Sequence, residues 1–244
     1  MSITSRKGIF PWFTIIEGIF GFILQCWLFS DKDAKGLLPP YHIAGILSFG
    51  LLALTFVICL LGARQEKDLC PDKLFFSSSA ASGGLTVSAI GLAFSAFTLS
   101  GSGILGVLTL VSGILASAAL GYIAYCRAKG FHADAMLHCV ITLYLILRTM
   151  SSCSGWSAEP QFQKYFFPLI ACMFLMIASY YRAALALKME HSKNYVFFSQ
   201  MALFCCCMCC RGSDWLFYLS CALWLTFDCP APSSVPRGRF LKDD

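Results

Sequence analysis

The stretch 77–125 carries no charged residue and consists of two long apolar runs joined at Ser100-Gly101-Ser102-Gly103. In water such a segment has nothing to cover it, whereas two uncharged runs of this length match the hydrocarbon thickness of a bilayer. Its small residues recur at intervals of four (Gly84 and Ser88; Gly91 and Ser95; Gly113, Ser117 and Gly121), a spacing that lets helix backbones approach closely in lipid. The expectation is a tight helical hairpin against which the other helices pack.

The rest of the chain repeats the pattern. Of its 244 residues, 58% are hydrophobic and 13% are charged, with a mean hydropathy of +0.71. A soluble domain carries about 25% charged residues. Apolar runs at about 9–29, 41–63, 133–150 and 165–187 each predict one membrane helix, with Trp12 and Trp27 at the two ends of the first as interfacial anchors. Pro39-Pro40 opens the second run, and Gly130, after Arg127 and Lys129, is a helix stop.

The last apolar region, 195–227, is the ambiguous one, because Arg211-Gly212-Ser213-Asp214 interrupts it. A single helix of that length would reach roughly 50 Å, against a hydrocarbon core of about 30 Å. It would also strand Arg211 and Asp214 near the midplane. Two short helices, 195–210 and 214–227, place both charges in a turn, at the cost of needing local thinning or shielding by neighbours.

Charge distribution separates the two readings. With eight spans and the N-terminus inside, 13 of the 18 lysines and arginines fall on the cytoplasmic side. Merging the last two spans into seven reduces the split to 10 against 7 and leaves Arg211 in the membrane. The expected fold is therefore an all-α polytopic bundle of eight spans (seven if the last two merge), with both termini cytoplasmic. Residues 1–229 form one bundle, and 230–244 form a flexible cytoplasmic tail. A bacterial cytoplasmic membrane fits the short loops and the inside-positive bias. The basic residues sit in short loops between spans, so the net charge of +5 is a topology signal and nucleic acid is not an expected partner.

Ionisable residues inside a bilayer are costly and mark function by default. At 1.5 Å per residue, Glu17 lies about 12 Å deep, and His138, Arg182 and Gln200 about 8 to 9 Å from the cytoplasmic ends of their helices. These four groups on four helices define a candidate ligand-binding layer in the inner half of the bilayer. Glu17 would take a proton and Arg182 an anionic group. The structural alternative is that Arg182 snorkels, His138 bonds a backbone carbonyl, and Glu17 stays protonated or pairs with one of those two.

The run Cys205-Cys206-Cys207-Met208-Cys209-Cys210 brings soft ligands together, with Cys206, Cys209 and Cys210 on one face as candidate ligands for Cu(I) or Zn(II). A zinc site, however, wants four convergent ligands, and cysteine is also an ordinary small apolar filler of a span. His42 with Asp31 and Asp33 is a weaker cation candidate.

Catalytic patterns do not hold up. The nucleophile motif Gly-x-Ser-Gly of intramembrane serine proteases would need glycine where Ser100 stands, and a turn between spans is the better role for 100–103. No Walker loop, dinucleotide fingerprint or His-x-x-x-His pair occurs. With no catalytic motif found, the reading leans away from an enzyme, which is kept as a third alternative, and no cofactor is expected. The chain's two competing roles are a small permease or transporter subunit, and a non-catalytic scaffold partnering another membrane protein or a second copy of itself.

Overall fold

A computed structural model describes residues 10–31, 38, 42–65, 79–98, 103–131, 133–156, 162–187 and 192–228. The tail at 230–244, the Ser100–Ser102 part of the hairpin turn, and Asp33 lie outside them. The described residues form eight helices and no strand. These are α1 (Phe10–Ser30), α2 (Ile43–Gln65), α3 (Ser79–Thr98), α4 (Ile104–Lys129), α5 (Ala135–Trp156), α6 (Phe162–Ala186), α7 (Ser192–Cys209) and α8 (Trp215–Asp228).

Six of them, α1 to α6, are long and apolar enough to cross a membrane. Their outward faces are apolar, as at Ile16, Ile19, Phe20 and Ile23 of α1 and Phe94 and Phe97 of α3, while Glu17, Gln25, Arg127, Arg148 and Arg182 are buried. Apolar side chains outside and charges inside is the arrangement that lipid, not water, selects. The chain is a multi-pass integral membrane protein.

The region 195–227 is two helices, separated by a turn at 210–214 that holds Arg211 and Asp214. Their shortness has a simple solution. At 1.5 Å per residue α8 reaches only about 21 Å, yet other helices cover most of it, and Trp215 and Leu219 are its exposed large side chains. Phe217, Tyr218, Ser220, Cys221, Ala222, Trp224, Leu225 and Asp228 of α8 are all buried, as is most of α7 from Tyr195 to Cys209. α7 packs on α1, α2, α6 and α8; α8 packs on α3 and α7 and sends side chains to α4, α5 and α6. The α7–α8 hairpin is thus the axis, and the six long helices are its shell.

The expectation that the α3–α4 hairpin is the packing centre needs adjusting. It is a wall of the bundle, with one face on α8 and the other exposed, but its small residues work as foreseen. Ser88 Oγ donates to the Ser220 carbonyl across the α3–α8 contact at 2.7 Å. Ser117 Oγ donates to the Ala89 carbonyl at 2.7 Å, and Ser82 Oγ to the Ala124 carbonyl at 2.9 Å, both across α3–α4. A Cβ at Gly113 would stand 2.6 Å from Ala96 Cβ and 2.9 Å from Tyr144 Cε2. One at Gly91 would overlap Ser220 Oγ, and one at Gly84 the Phe227 ring. On the far side of the axis, α1 approaches α7 through Gly18 and Gly21, where a Cβ would come within 2.7 Å of Cys207 Cβ and 2.8 Å of Met208 Cγ. Gly130, at φ 74°, ends α4 with Phe131 N–H on the Cys126 carbonyl.

Close backbone approach is therefore a requirement at some of these glycines and not at others. Gly91→Val should destabilise the purified protein by about 1–3 kcal/mol through overpacking against Ser220. Gly121→Val, where the added Cβ meets open space, should leave the unfolding midpoint unchanged within error. Thermal unfolding in detergent, followed by size-exclusion chromatography, checks both. Equal losses at the two positions would refute the α3–α8 packing.

Candidate functional site

The two ends of α8 each carry a carboxylate, and each carboxylate meets arginines from the shell. Asp228 is the last residue of α8 and has no exposed surface. Arg182 of α6 grips it bidentately, with Nε donating to Oδ2 at 2.6 Å and Nη2 to Oδ1 at 3.2 Å. Arg127, in the last turn of α4, donates from Nη1 to Asp228 Oδ1 at 3.1 Å and to the Phe227 carbonyl at 2.9 Å. Tyr195, in the first turn of α7, adds its hydroxyl to Oδ2 at 2.9 Å.

Four helices are tied at one point. A carboxylate at a helix C-terminus opposes the macrodipole, and the guanidinium on the Phe227 carbonyl and carboxylate offsets both. His138 of α5 lies within electrostatic reach of Asp228, Arg182 and Arg127. It is fully buried, and neither ring nitrogen has a hydrogen-bond partner among the described residues.

At the other end Asp214 precedes α8. Its Oδ2 is 3.5 Å from Nη2 of Arg148, an α5 residue with only 2% exposure. Arg148 also lies 3.9 Å over the Phe217 ring, and its Nη1 contacts the Tyr144 hydroxyl at 3.3 Å. Beside this pair a partly open cavity of about 300 Å³ enters the bundle. It is lined by Gln25 and Phe29 of α1, Lys164, Phe167 and Pro168 of α6, Met208 and Cys209 of α7, the 211–214 turn, and Tyr218 of α8. Pro168, which has no backbone N–H to donate, lies within α6 at the cavity wall.

The four residues of the expected polar layer do not converge on one cavity. Arg182 and His138 come together around Asp228. Glu17 is elsewhere, between α1 and α2, where the Thr55 hydroxyl lies 3.2 Å from Oε2 and no cation faces it among the described residues. Gln200 is buried on α7, about 7.5 Å along the helix from Tyr195, and is not among the groups holding Asp228. The residues that sequence reasoning passed over are Asp228, Tyr195, Arg127 and Arg148. A carboxylate at the very end of the last apolar run, with an arginine near the end of several others, was the available signal.

The cysteine run is core. Cys205, Cys206 and Cys209 are buried on α7, and Cys210 Sγ donates to the Cys206 carbonyl at 3.2 Å. Among the described residues there is no disulfide, and no group of three or more His, Cys, Asp or Glu side chains is placed to hold a metal ion. His42 Nε2 is 2.9 Å from Asp31 Oδ2, which ties the start of α2 to the end of α1. Comparison with protein-family models, with curated proteins and with solved structures finds no match.

Removing one partner of a buried ion pair leaves the other charge unpaired, at a cost of about 3–5 kcal/mol. Asp228→Asn should therefore sharply lower the unfolding midpoint in detergent. Glu17→Gln, which disturbs one hydroxyl contact, should cost no more than about 1.5 kcal/mol. If the two variants unfold alike, Asp228 does not hold the four helices together.

Proposed function

We propose that this protein is a small permease of a bacterial cytoplasmic membrane, with the Asp214 end outside and the Asp228 end inside. The observation that carries the reading is the cavity beside Asp214. It opens at one end of the bundle, reaches the α7–α8 axis, and mixes charged, polar and aromatic lining as solute sites do. The opposite end is shut by the Arg127–Asp228–Arg182–Tyr195 cluster. One end open and the other closed is what one state of an alternating-access cycle requires.

Orientation follows the charges. Arg64, Arg127, Lys129, Arg182 and Lys193 lie toward the Asp228 end, against Arg148, Lys164 and Arg211 toward the other. Glu17 is the carboxyl suited to carry a coupling proton, because no described cation neutralises it, whereas Asp228 is engaged by two. His138 and Arg182 take part through the inner closure, and Gln200 through the axis helix they close upon.

Reconstituted vesicles test this with a panel of labelled short carboxylates, amino acids and alkylamines, under an imposed proton gradient. Saturable uptake of at least one class above protein-free vesicles is expected, with the gradient-driven part lost in Glu17→Gln. Absence of saturable uptake across the panel, together with stable co-purification with another membrane protein, would replace the permease by a scaffold.

A further inference from the structure

Beside the Asp228 cluster lies an ionisable ring that makes no hydrogen bond among the described residues. His138 is in the first turn of α5, about 5 Å along the helix from its start, and is fully buried. Both ring nitrogens lack a partner. The Thr142 hydroxyl donates to the His138 backbone carbonyl at 2.9 Å and leaves the ring alone. A leucine or phenylalanine would fill such a place without an orphaned donor and acceptor, so packing does not explain a histidine there.

Charge explains it better. The groups that face the ring are Arg127 from α4, Arg182 from α6 and Asp228 from α8. Tyr195 of α7 reaches the same carboxylate. On α5 itself, Asp134 is exposed and its Oδ1 accepts the Met136 N–H at 3.3 Å. Asp228 already accepts four hydrogen bonds, from Arg127, from Arg182 twice and from Tyr195. A proton on His138 would bring a third positive charge to that one carboxylate. It would do so at a helix N-terminus, whose dipole is itself positive. Both N–H groups of the imidazolium would be buried without an acceptor.

We propose that His138 is a proton-binding site that keeps the Asp228 end shut when neutral and releases it when protonated. The neutral ring fits the closed cluster. The imidazolium needs water on its two N–H groups and distance from the two guanidiniums, and opening that end of the bundle supplies both. The proton comes from water and binds one ring nitrogen, and no other bond changes. By linkage, acid populates whichever state accepts the proton, so a fall in pH through the ordinary histidine range, about 6.5, shifts this end from closed to open. The proposal deepens the permease reading and rests on it only in treating the movement as a gate.

Cys126, 3% exposed and next to Arg127, reports the opening. Its alkylation by iodoacetamide is followed by peptide mass spectrometry on the full-length protein in detergent, from about pH 7.5 to about pH 5.5. Each rate is divided by that of the SDS-unfolded protein at the same pH, which removes the thiol's own titration. The normalised rate should rise about tenfold toward acid. It should stay flat in His138→Gln and in His138→Phe, and the second variant keeps the test sound if the first does not fold. His42→Gln, altering the histidine that pairs with Asp31 at the other end of the bundle, should show the full rise.

A rise that persists in both His138 variants, or no rise in the unsubstituted protein, would overturn the proposal. So would a rise lost in Glu17→Gln, which would assign the titration to that carboxyl. Labelling needs no solute, so the switch and the permease fail separately. A pH-dependent rise without uptake of any solute would defeat the permease and leave the switch standing. Saturable uptake by a protein whose labelling is flat with pH would do the reverse.

Discussion

The Asp228 carboxylate, held by Arg182, Arg127 and Tyr195, is the interaction on which the packing of the bundle most depends. A helix of 14 residues is too short to present both ends to water across a bilayer, and a charged residue at its terminus would otherwise face hydrocarbon. Enclosing α8 in a shell of longer helices removes the length problem and creates a second one. The shell must supply counter-charge deep in the protein. Arginine suits this because its stem reaches inward from a helix end and its planar fork satisfies both oxygens of a carboxylate. The same solution recurs at Asp214, where Arg148 approaches from α5.

The two ends are built with different stringency. Around Asp228 the carboxylate accepts four hydrogen bonds from three side chains and is fully enclosed. Around Asp214 the ion pair is longer, at 3.5 Å, the aspartate side chain is 24% exposed, and a cavity adjoins it. The first cluster is enclosed and saturated with hydrogen bonds, and the second is looser and partly open. This difference in enclosure, more than the presence of charge as such, distinguishes the two ends of α8.

The fold was largely legible because lipid imposes a strong rule: backbone must be helical, and long uncharged runs must span. Splitting 195–227 at Arg211-Gly212-Ser213-Asp214 followed from the cost of burying that turn, and shielding by neighbours proved to be how the short helices are accommodated. What could not be read was which helix lies at the centre. Hydropathy ranks α3 and α4 as readily as α7 and α8, because a helix surrounded by helices and one facing lipid are both apolar. Small-residue spacing marks a close contact and does not say with which partner; Gly84 and Gly91 turned out to face α8.

The site was less legible for a related reason. Depth along a helix was read correctly enough to bring His138 and Arg182 near one level, but depth says nothing of azimuth, and Glu17 points between α1 and α2 instead. Asp228 falls one residue beyond the expected last span, 214–227, and so lay outside the search for charges inside the bilayer. In a soluble protein a terminal aspartate would be solvated there. In a bundle whose last helix is its axis, the end of the run is interior, so a charge at that position must find partners within the protein. The presence of Arg127 and Arg182 near the C-terminal ends of two other helices is the complementary half of that requirement. Read together, the three residues specify that α4, α6 and α8 end side by side, a tertiary constraint carried by charges at helix ends that no hydropathy profile contains.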